Sequence, residues 1–232
     1  EGSRSNVMGL PMEAFEKNLV QFRWECLHEP LPKSCRLLAV SKKQSLDRMR
    51  WVFEMGQRDF AENYVQEALS KMQAMRDLPI RWHFIGHLQK NKVQQVLGLF
   101  DCIQSVDSRD LMERIQRCAQ DRGLVQKIFL QVNLANEESK KGFSAKELRQ
   151  VLQESSRFSN LDIAGLMTFP PLQDPELNRV YFRQLRELRD ELQKTQPGIK
   201  ALSMGTSEDF KIAIEEGSTD VRLGSVLFGE RS

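Results

Sequence analysis

The sequence lacks the features by which several classes of protein are recognised. It contains no C-x-x-C pair and no cysteine–histidine cluster with zinc-ligand spacing, so its four cysteines are expected to be free thiols in a reducing compartment. No apolar run approaches the roughly 18–20 residues that a membrane span requires. The formal charge of +2 is nearly balanced, which leaves no electrostatic case for a nucleic-acid or anionic-membrane partner. We therefore expect a soluble, cytoplasmic protein. The balanced charge does not exclude a small anionic ligand, since a local site needs only a few donors.

A dinucleotide-binding fingerprint and a targeting segment are absent as well. No G-x-G-x-x-G follows the first predicted strand, which weakens the alternative of an open doubly wound sheet. Residues 1–10 have the pattern of neither a signal peptide nor a transit peptide, and they are expected to be a disordered tail or a tag remnant. Residues 11–232 are expected to form a single domain, because a chain of 232 residues with 40% hydrophobic content suffices for one large core.

The pattern that is present alternates short apolar runs with amphipathic segments. A first helix is predicted at 11–28, with an apolar stripe at Phe15, Leu19, Phe22 and Leu27. The predicted strands lie at 37–42, 59–63, 81–86, 102–106, 127–133, 161–168, 200–204 and 220–224. The predicted helices between them lie at 45–56, 64–76, 90–98, 144–155 and 174–194, with two more that follow the cap residues Ser108 and Ser207 and end near 121 and 217.

Eight strands separated by helical segments are typical of an α/β protein with a (β/α)8 TIM barrel. Little sequence follows the last predicted strand, so the eighth helical position needs another occupant. We expect the extra N-terminal helix to fill it.

The first predicted strand ends at an unusual residue, Lys42. The run 37–40 is uniformly apolar, as in a strand that is covered on both faces, and Ser41 and Lys42 come directly after it. In parallel barrels the functional residues lie at the C-terminal ends of the strands. A partly desolvated Lys42 can attack a carbonyl as a free amine. The alternative is a rim lysine whose stem lies on the barrel and whose ammonium is in water.

A second candidate group follows the last two strands. Ser207 lies after strand seven, Gly224 ends strand eight and Ser225 follows it, where barrels commonly hold a phosphate. The alternative is that Ser207 only caps a helix and that the glycines only form turns. Together with Lys42 and the nearby Arg222, this group suits two ligand classes. One is a sugar phosphate in a Schiff-base aldolase, and the other is pyridoxal 5′-phosphate (PLP) with Arg222 at its pyridine nitrogen.

Several short motifs occur in one order along the chain. They are A-V-S-K at 39–42, E-N-Y-V-Q-E at 62–67, W-H-F-I-G-H-L-Q at 82–89, E-S-K at 138–140, G-L-M at 165–167, L-S-M-G at 202–205, G-S-T at 217–219 and V-R-L-G at 221–224. Taken jointly, these motifs resemble the pyridoxal phosphate homeostasis protein family, whose single-domain barrels are similar to the N-terminal domain of alanine racemase. The resemblance covers 37–231 and implies a PLP-binding protein of intracellular vitamin B6 homeostasis.

The resemblance also implies a set of cofactor-binding residues and no metal site. In this set Lys42 holds PLP as an internal aldimine, Arg222 faces the pyridine nitrogen, and Asn63 lines the ring. Ser207, Gly224 and Ser225 would hold the phosphate.

Two positions depart from the family pattern, and one loop is left open. Ala61 replaces a glycine before Glu62, and Thr206 replaces a methionine. Both changes are small in volume, so they bear on the affinity for PLP more than on the identification of PLP as the cofactor. In the polar loop, Lys140 and Lys141 either help to capture the phosphate or belong to a plain surface loop.

The expected chemistry favours a carrier over an enzyme. An arginine at the pyridine nitrogen leaves the ring a weaker electron sink than an acidic partner does. Racemases of similar fold complete proton transfer with a tyrosine from an additional domain, whereas the two tyrosines here are Tyr64 and Tyr181. We therefore expect a monomeric PLP carrier without assigned catalytic residues, with PLP-dependent apoenzymes as candidate recipients. The alternatives are a racemase-like PLP enzyme and a Schiff-base aldolase.

Overall fold

A computed structural model describes residues 12–28, 31–135, 141–171 and 174–229. Its strands are β1 (Arg36–Val40), β2 (Asp59–Glu62), β3 (Arg81–Phe84), β4 (Cys102–Val106), β5 (Gln126–Gln131), β6 (Leu161–Met167), β7 (Ala201–Ser203) and β8 (Asp220–Leu223). They are parallel and form a closed barrel in sequence order. Pairing of β1 with β8, from Arg36 opposite Asp220 to Ala39 opposite Leu223, closes the ring. The predicted (β/α)8 barrel is confirmed.

The helices lie between the strands, as the alternating pattern predicts. They are α1 (Met12–His28), α2 (Leu46–Glu54), α3 (Val65–Ala74), α4 (Val93–Val96), α5 (Arg109–Asp121), α6 (Ala145–Gln153), α7 (Arg179–Leu192), α8 (Phe210–Glu215) and α9 (Ser225–Phe228). Serine caps explain several of the starts. The side chains of Ser45, Ser108 and Ser144 each accept a hydrogen bond from a backbone amide in the first turn. No helix within the described ranges is long and apolar enough to cross a membrane.

Helix α1 fills the eighth helical position, as expected. It packs against both α2 and α9, and Lys17 forms an ion pair with Glu54 of α2 at 2.9 Å. The predicted apolar stripe is wrong in part, however. Leu27 is buried, but Phe15 and Phe22 are 49% and 63% exposed. The helix carries two apolar stripes, and the neighbouring helices select the one that contains Val20 and Leu27.

The predicted helix cap at Ser207 is also wrong. Helix α8 begins three residues later, at Phe210, and its N-cap residue is Asp209. The carboxylate of Asp209 accepts hydrogen bonds from the backbone amide of Thr206 at 2.6 Å and from its hydroxyl at 3.0 Å. These bonds close a turn before the helix can start. Ser207 therefore lies in the turn, and its hydroxyl takes part in other contacts.

Alternation along the strands separates two layers of side chains. Leu37 and Ala39 of β1 belong to the large core between the barrel and the helices, whereas Leu38 and Val40 point into the barrel. The barrel interior is only partly apolar. Buried polar residues from five strands also fill it, and they connect the floor of the barrel with its mouth.

The remaining expectations concern residues that the structure does not describe. The tail proposed for residues 1–10 and the motif at 138–140, including Lys140, lie outside the described ranges.

Candidate functional site

One cavity at the mouth of the barrel brings together every predicted site residue. It has a volume of about 210 Å³ and lies where β1, β2, β7 and β8 end. The predicted residues that line it are Lys42, Asn63, Ser207, Arg222, Gly224 and Ser225. Val40, Ile85 and Phe169 supply apolar wall. We call this space the mouth cavity.

The charges that line the mouth cavity suit an anionic ligand. Lys42 and Arg222 are cations, and Glu208 is the carboxylate beside them. The excess of positive charge lies in a partly enclosed space, where it attracts an anion more strongly than it would in open water.

Lys42 stands on a backbone that is held on both sides. The carbonyl oxygen of Ser41, which precedes it, accepts a hydrogen bond from Lys71 Nζ at 2.6 Å. The amide of Lys43, which follows it, donates to Glu67 Oε1 at 2.5 Å. Lys43 has a φ of 60°, in the left-handed region that only a few non-glycine residues adopt. Helix α3 therefore fixes the turn that carries Lys42.

A buried ionic cluster supports this turn. Lys71 Nζ lies 2.8 Å from Glu62 Oε1 and 2.6 Å from Glu67 Oε1, and the hydroxyl of Ser41 donates to Glu62 at 2.7 Å. Burial raises the pKa of Glu62, whose side chain is fully enclosed. This cluster was not predicted from the sequence. Its signal is the Glu67–Lys71 pair, spaced i,i+4 on a helix, with the lysine on the buried face.

Arg222 is held inside the barrel, and one of its three guanidinium nitrogens has no partner among the described residues. Its Nη1 donates to the carbonyl oxygen and the hydroxyl of Ser203 at 2.7 and 2.8 Å, and Nη2 donates to the carbonyl oxygen of Thr168 at 2.8 Å. The guanidinium carbon lies 4.2 Å from the ring centroid of Phe169. Nε is buried and has no hydrogen-bond partner within the described part of the chain. A buried donor without a partner is costly, so a ligand that accepts a hydrogen bond fits here.

The charge of Arg222 persists at neutral pH in spite of its burial. Desolvation lowers the pKa of its guanidinium to about 10. The group is therefore still protonated near pH 7, and it presents a permanent donor to the mouth cavity.

The anion-binding side of the cavity is built from the turns after β7 and β8. Ser207 Oγ accepts from the backbone amides of Gly224 and Val226, both at 3.4 Å. Bonds of this length are weak, so the two amide hydrogens remain open to a stronger acceptor such as a phosphate oxygen. Gly205 shapes the first turn, because it has a φ of 96° and a Cβ would lie 2.6 Å from that of Ala213.

Asn63 is placed by a close approach of two loops. Its Oδ1 is buried without a hydrogen-bond partner among the described residues. Gly86 packs directly against its backbone, and a Cβ at position 86 would overlap the carbonyl of Asn63. A glycine is therefore required at 86 for Asn63 to reach the mouth cavity.

The remaining candidates lie elsewhere. Lys141 Nζ is 2.9 Å from Nε2 of His87, and Nδ1 of that histidine is 3.1 Å from Asp107 Oδ2. His83 is buried beside Asp59. No group of three potential metal ligands occurs in the ranges that the structure describes.

Comparison with known sequences gives a consistent family. The model of the alanine racemase N-terminal domain matches residues 12–232. The pyridoxal phosphate homeostasis protein of Aquifex aeolicus is 41% identical over 222 residues, covering 94% of this chain and 97% of that protein. The protein of the same name from Pseudomonas aeruginosa is 39% identical and covers 86% of each chain. The one from Bos taurus is 38% identical, covering 84% of this chain and 77% of that one.

Comparison with solved structures agrees. PipY of Synechococcus elongatus, in a structure with PLP bound, is 39% identical and superposes with a TM-score of 0.85, covering 90% of this chain and 100% of that one. An alanine racemase of Clostridium difficile has a TM-score of 0.71 at 14% identity, covering 93% of this chain and 56% of that one. This second likeness shows a shared barrel fold.

Proposed function

The chain belongs to the pyridoxal phosphate homeostasis protein family, and we propose that it binds PLP in the mouth cavity as part of intracellular vitamin B6 homeostasis. The observation that carries the proposal is the meeting of Lys42 with the unpartnered Nε of Arg222 in one cavity. A lysine amine can form a C=N bond with the aldehyde of PLP, and a buried N–H can donate a hydrogen bond to its unprotonated ring nitrogen.

We propose the following roles for the predicted residues. PLP supplies an aldehyde that forms a reversible covalent C=N bond with a primary amine, and Lys42 is the amine. Arg222 Nε donates to the ring nitrogen. The hydroxyls of Ser207 and Ser225 and the amide of Gly224 bind the phosphate, while Asn63 lies along the ring.

We propose further that the site stores the cofactor without substantial catalytic turnover. A guanidinium that stays charged donates a hydrogen bond to the ring nitrogen and does not transfer a proton to it, so the ring gains little power to stabilise a carbanion. The check is an assay of amino-acid racemisation with the PLP-loaded protein. Turnover at an ordinary enzyme rate, about 1 s⁻¹ or faster, would overturn this part of the proposal.

The compartment, the recipients of PLP and the oligomeric state are also proposals. Four free cysteines suit the reducing cytoplasm, and PLP-dependent apoenzymes that need the cofactor are the recipients we propose. We propose that the protein acts as a monomer. Light scattering after size exclusion tests the monomer, and transfer of PLP to an apoenzyme, followed by recovery of that enzyme's activity, tests the recipients.

The experiment that tests the binding site combines spectroscopy with trapping. PLP is added to the purified protein, the visible absorbance band is recorded, borohydride is added, and the modified lysine is identified by mass spectrometry. We expect modification at Lys42 and loss of the band in Lys42→Ala. Lys43→Ala is the matched control, because it removes the neighbouring exposed amine and should leave the band unchanged. A wild-type protein without a band would refute the proposal.

A further inference from the structure

A line of buried polar side chains crosses the barrel interior and ends at Arg222. The residues are Asp59 of β2, His83 of β3, Gln104 of β4, Ser203 of β7 and Arg222 of β8, and none is more than 6% exposed. From Arg222 Nη1 to Ser203 Oγ the distance is 2.8 Å, and from there to Gln104 Oε1 it is 2.7 Å. Gln104 Nε2 lies 3.3 Å from His83 Nδ1, and His83 Nε2 lies 3.1 Å from Asp59 Oδ1. We call this line the interior chain.

The chemistry of its members gives the interior chain one direction. A carboxylate only accepts, so the hydrogen on Nε2 of His83 points to Asp59. The amide nitrogen of Gln104 only donates, so Nδ1 of His83, which it faces, is the acceptor. The amide oxygen of Gln104 therefore faces Ser203 and accepts its hydroxyl hydrogen. Every bond is donated from Arg222 towards Asp59.

This direction matters for Arg222 because a serine hydroxyl has only one hydrogen. While Gln104 accepts that hydrogen, the oxygen of Ser203 is free to accept from Nη1 of Arg222. If the amide of Gln104 were reversed or removed, the hydroxyl hydrogen could turn towards the guanidinium, and two donors would face each other. The orientation at Ser203 thus depends on residues that do not touch Arg222.

The far end of the interior chain is a stable anion. Arg81 binds Asp59 with two hydrogen bonds, from Nε at 2.8 Å and from Nη2 at 2.6 Å, and together with His83 it holds the pKa of that carboxyl far below its usual range. The other buried carboxylate of this region, Asp220, has its own partner, Arg36, at 2.7 Å. The acceptors to which Arg222 donates within the described ranges are neutral oxygens. Asp209 and Asp220 act on its charge through space, and its hydrogen-bonded link to a carboxylate runs through the interior chain.

We propose that Asp59, His83, Gln104 and Ser203 are positioning residues for Arg222. They fix the rotation of its guanidinium. Nη1 and Nη2 then donate to acceptors inside the barrel, and Nε remains to donate a hydrogen bond to the ring nitrogen of PLP. This inference rests on the proposed function, since it assigns these four residues to the binding of the same ligand. Bonds donated in one direction also strengthen each other, which makes the line stiffer than its separate links.

The test uses two variants that cut the interior chain without touching the mouth cavity. Ser203→Ala removes the link next to Arg222, and Gln104→Met replaces the amide by an apolar side chain of similar length. We expect each variant to weaken PLP binding about tenfold, as for the loss of one well-formed buried hydrogen bond. The absorbance maximum of the bound cofactor is expected to shift as well. Gln126→Met is the control, because Gln126 is equally buried and bonds to backbone groups away from the cavity.

A double-mutant cycle separates positioning from general destabilisation. In an Arg222→Met background the interior chain has nothing to position, so Ser203→Ala and Gln104→Met should no longer change PLP affinity. An effect that persists undiminished in that background, or a Gln126→Met variant that loses as much affinity, would overturn the inference.

A measurement without PLP keeps the two proposals distinguishable. The Nε–H of Arg222 is followed by proton–nitrogen NMR in the cofactor-free protein, where a fixed guanidinium gives a single, slowly exchanging signal. We expect that signal to move or broaden in Gln104→Met and to stay in Gln126→Met. If the wild-type protein binds no PLP but the signal behaves in this way, the proposed function fails and the positioning stands. If the signal is unchanged in Gln104→Met, the positioning is refuted whatever the protein binds.

Discussion

At the residue scale, the turn that presents Lys42 depends on buried charges that compensate one another. Lys71 is the cation that serves both Glu62 and Glu67, and it also donates to the carbonyl oxygen of Ser41. Removal of one member of a buried ion pair leaves the partner charged and without solvation. The lysine therefore contributes to stability and to the geometry of the site at once.

We predict that Lys71→Met lowers the free energy of unfolding by about 3–5 kcal/mol, because Glu62 is left buried without its cation. Urea denaturation measures the change. Lys17→Met is the control: its pair with Glu54 is on the surface, and its loss should cost about 1 kcal/mol or less. Adding Glu62→Gln to Lys71→Met should restore part of the loss. Equal effects of the two lysine variants would contradict the prediction.

The four cysteines allow a second prediction at this scale. Cys26 is exposed, whereas Cys35, Cys102 and Cys118 are buried. Burial raises the pKa of the Cys35 thiol to about 12, and it also raises that of Cys102. We predict that one thiol per native chain reacts rapidly with a thiol reagent and that all four react after denaturation. Cys26→Ser should abolish the rapid phase; a rapid phase that remains in this variant would show that the interior opens.

Sequence motifs predicted the residues that line the mouth cavity, but not the buried residues that hold them in place. Lys42 and Arg222 stand inside short motifs, so each was identified from its neighbours along the chain. Ser203 and Gln104 are 99 residues apart, and no spacing rule connects them. Their contact depends on the register of strands around a closed barrel, which becomes visible only when the barrel is built.

At the element scale, local chemistry decided which boundaries were predictable. The strand predicted at 102–106 is confirmed. The helix predicted after Ser108 is confirmed as well, because the hydroxyl of Ser108 accepts from a first-turn amide and so marks the start of the helix. The same reasoning failed at Ser207. There the carboxylate of Asp209 accepts from the amide and the hydroxyl of Thr206 and closes a turn. The hydroxyl of Ser207 accepts from the amides of Gly224 and Val226, so it does not cap the helix, which begins at Phe210.

Helix α1 shows the limit of periodicity and carries a prediction. Leu27 is 5% exposed and Phe22 is 63% exposed, although both lie in apolar stripes. We predict that Leu27→Ala lowers the free energy of unfolding by about 2–5 kcal/mol, since it leaves a cavity against the neighbouring helices. Phe22→Ala should change it by no more than about 0.5 kcal/mol. Thermal unfolding of the two variants measures both changes in the free energy of unfolding. A large loss in Phe22→Ala would mean that this face is covered in solution.

At the scale of the whole molecule, the ligand is expected to stabilise the barrel. The mouth cavity joins the first two strands to the last two, so a bound molecule links both sides of the β1–β8 seam. A ligand that binds only the folded state raises the free energy of unfolding by about 2.7 kcal/mol when its concentration is a hundred times its Kd.

We predict a rise of this order when PLP is added, and a much smaller rise in Lys42→Ala. Differential scanning calorimetry with and without PLP measures both. The control is pyridoxal, which carries the aldehyde but no phosphate, and which should stabilise less because the turns after β7 and β8 have no anion to bind. Equal stabilisation by the two compounds would contradict the assignment of Ser207 and Gly224.

The order of the strands has a consequence for the making of the protein. The amine at 42 belongs to the first strand of the barrel and the guanidinium at 222 to the last, and the seam between these strands closes the ring. During synthesis on the ribosome the lysine emerges long before the residues that complete its surroundings. A growing chain therefore has no complete mouth cavity, and we expect the proposed binding of PLP to follow synthesis, once the barrel has closed.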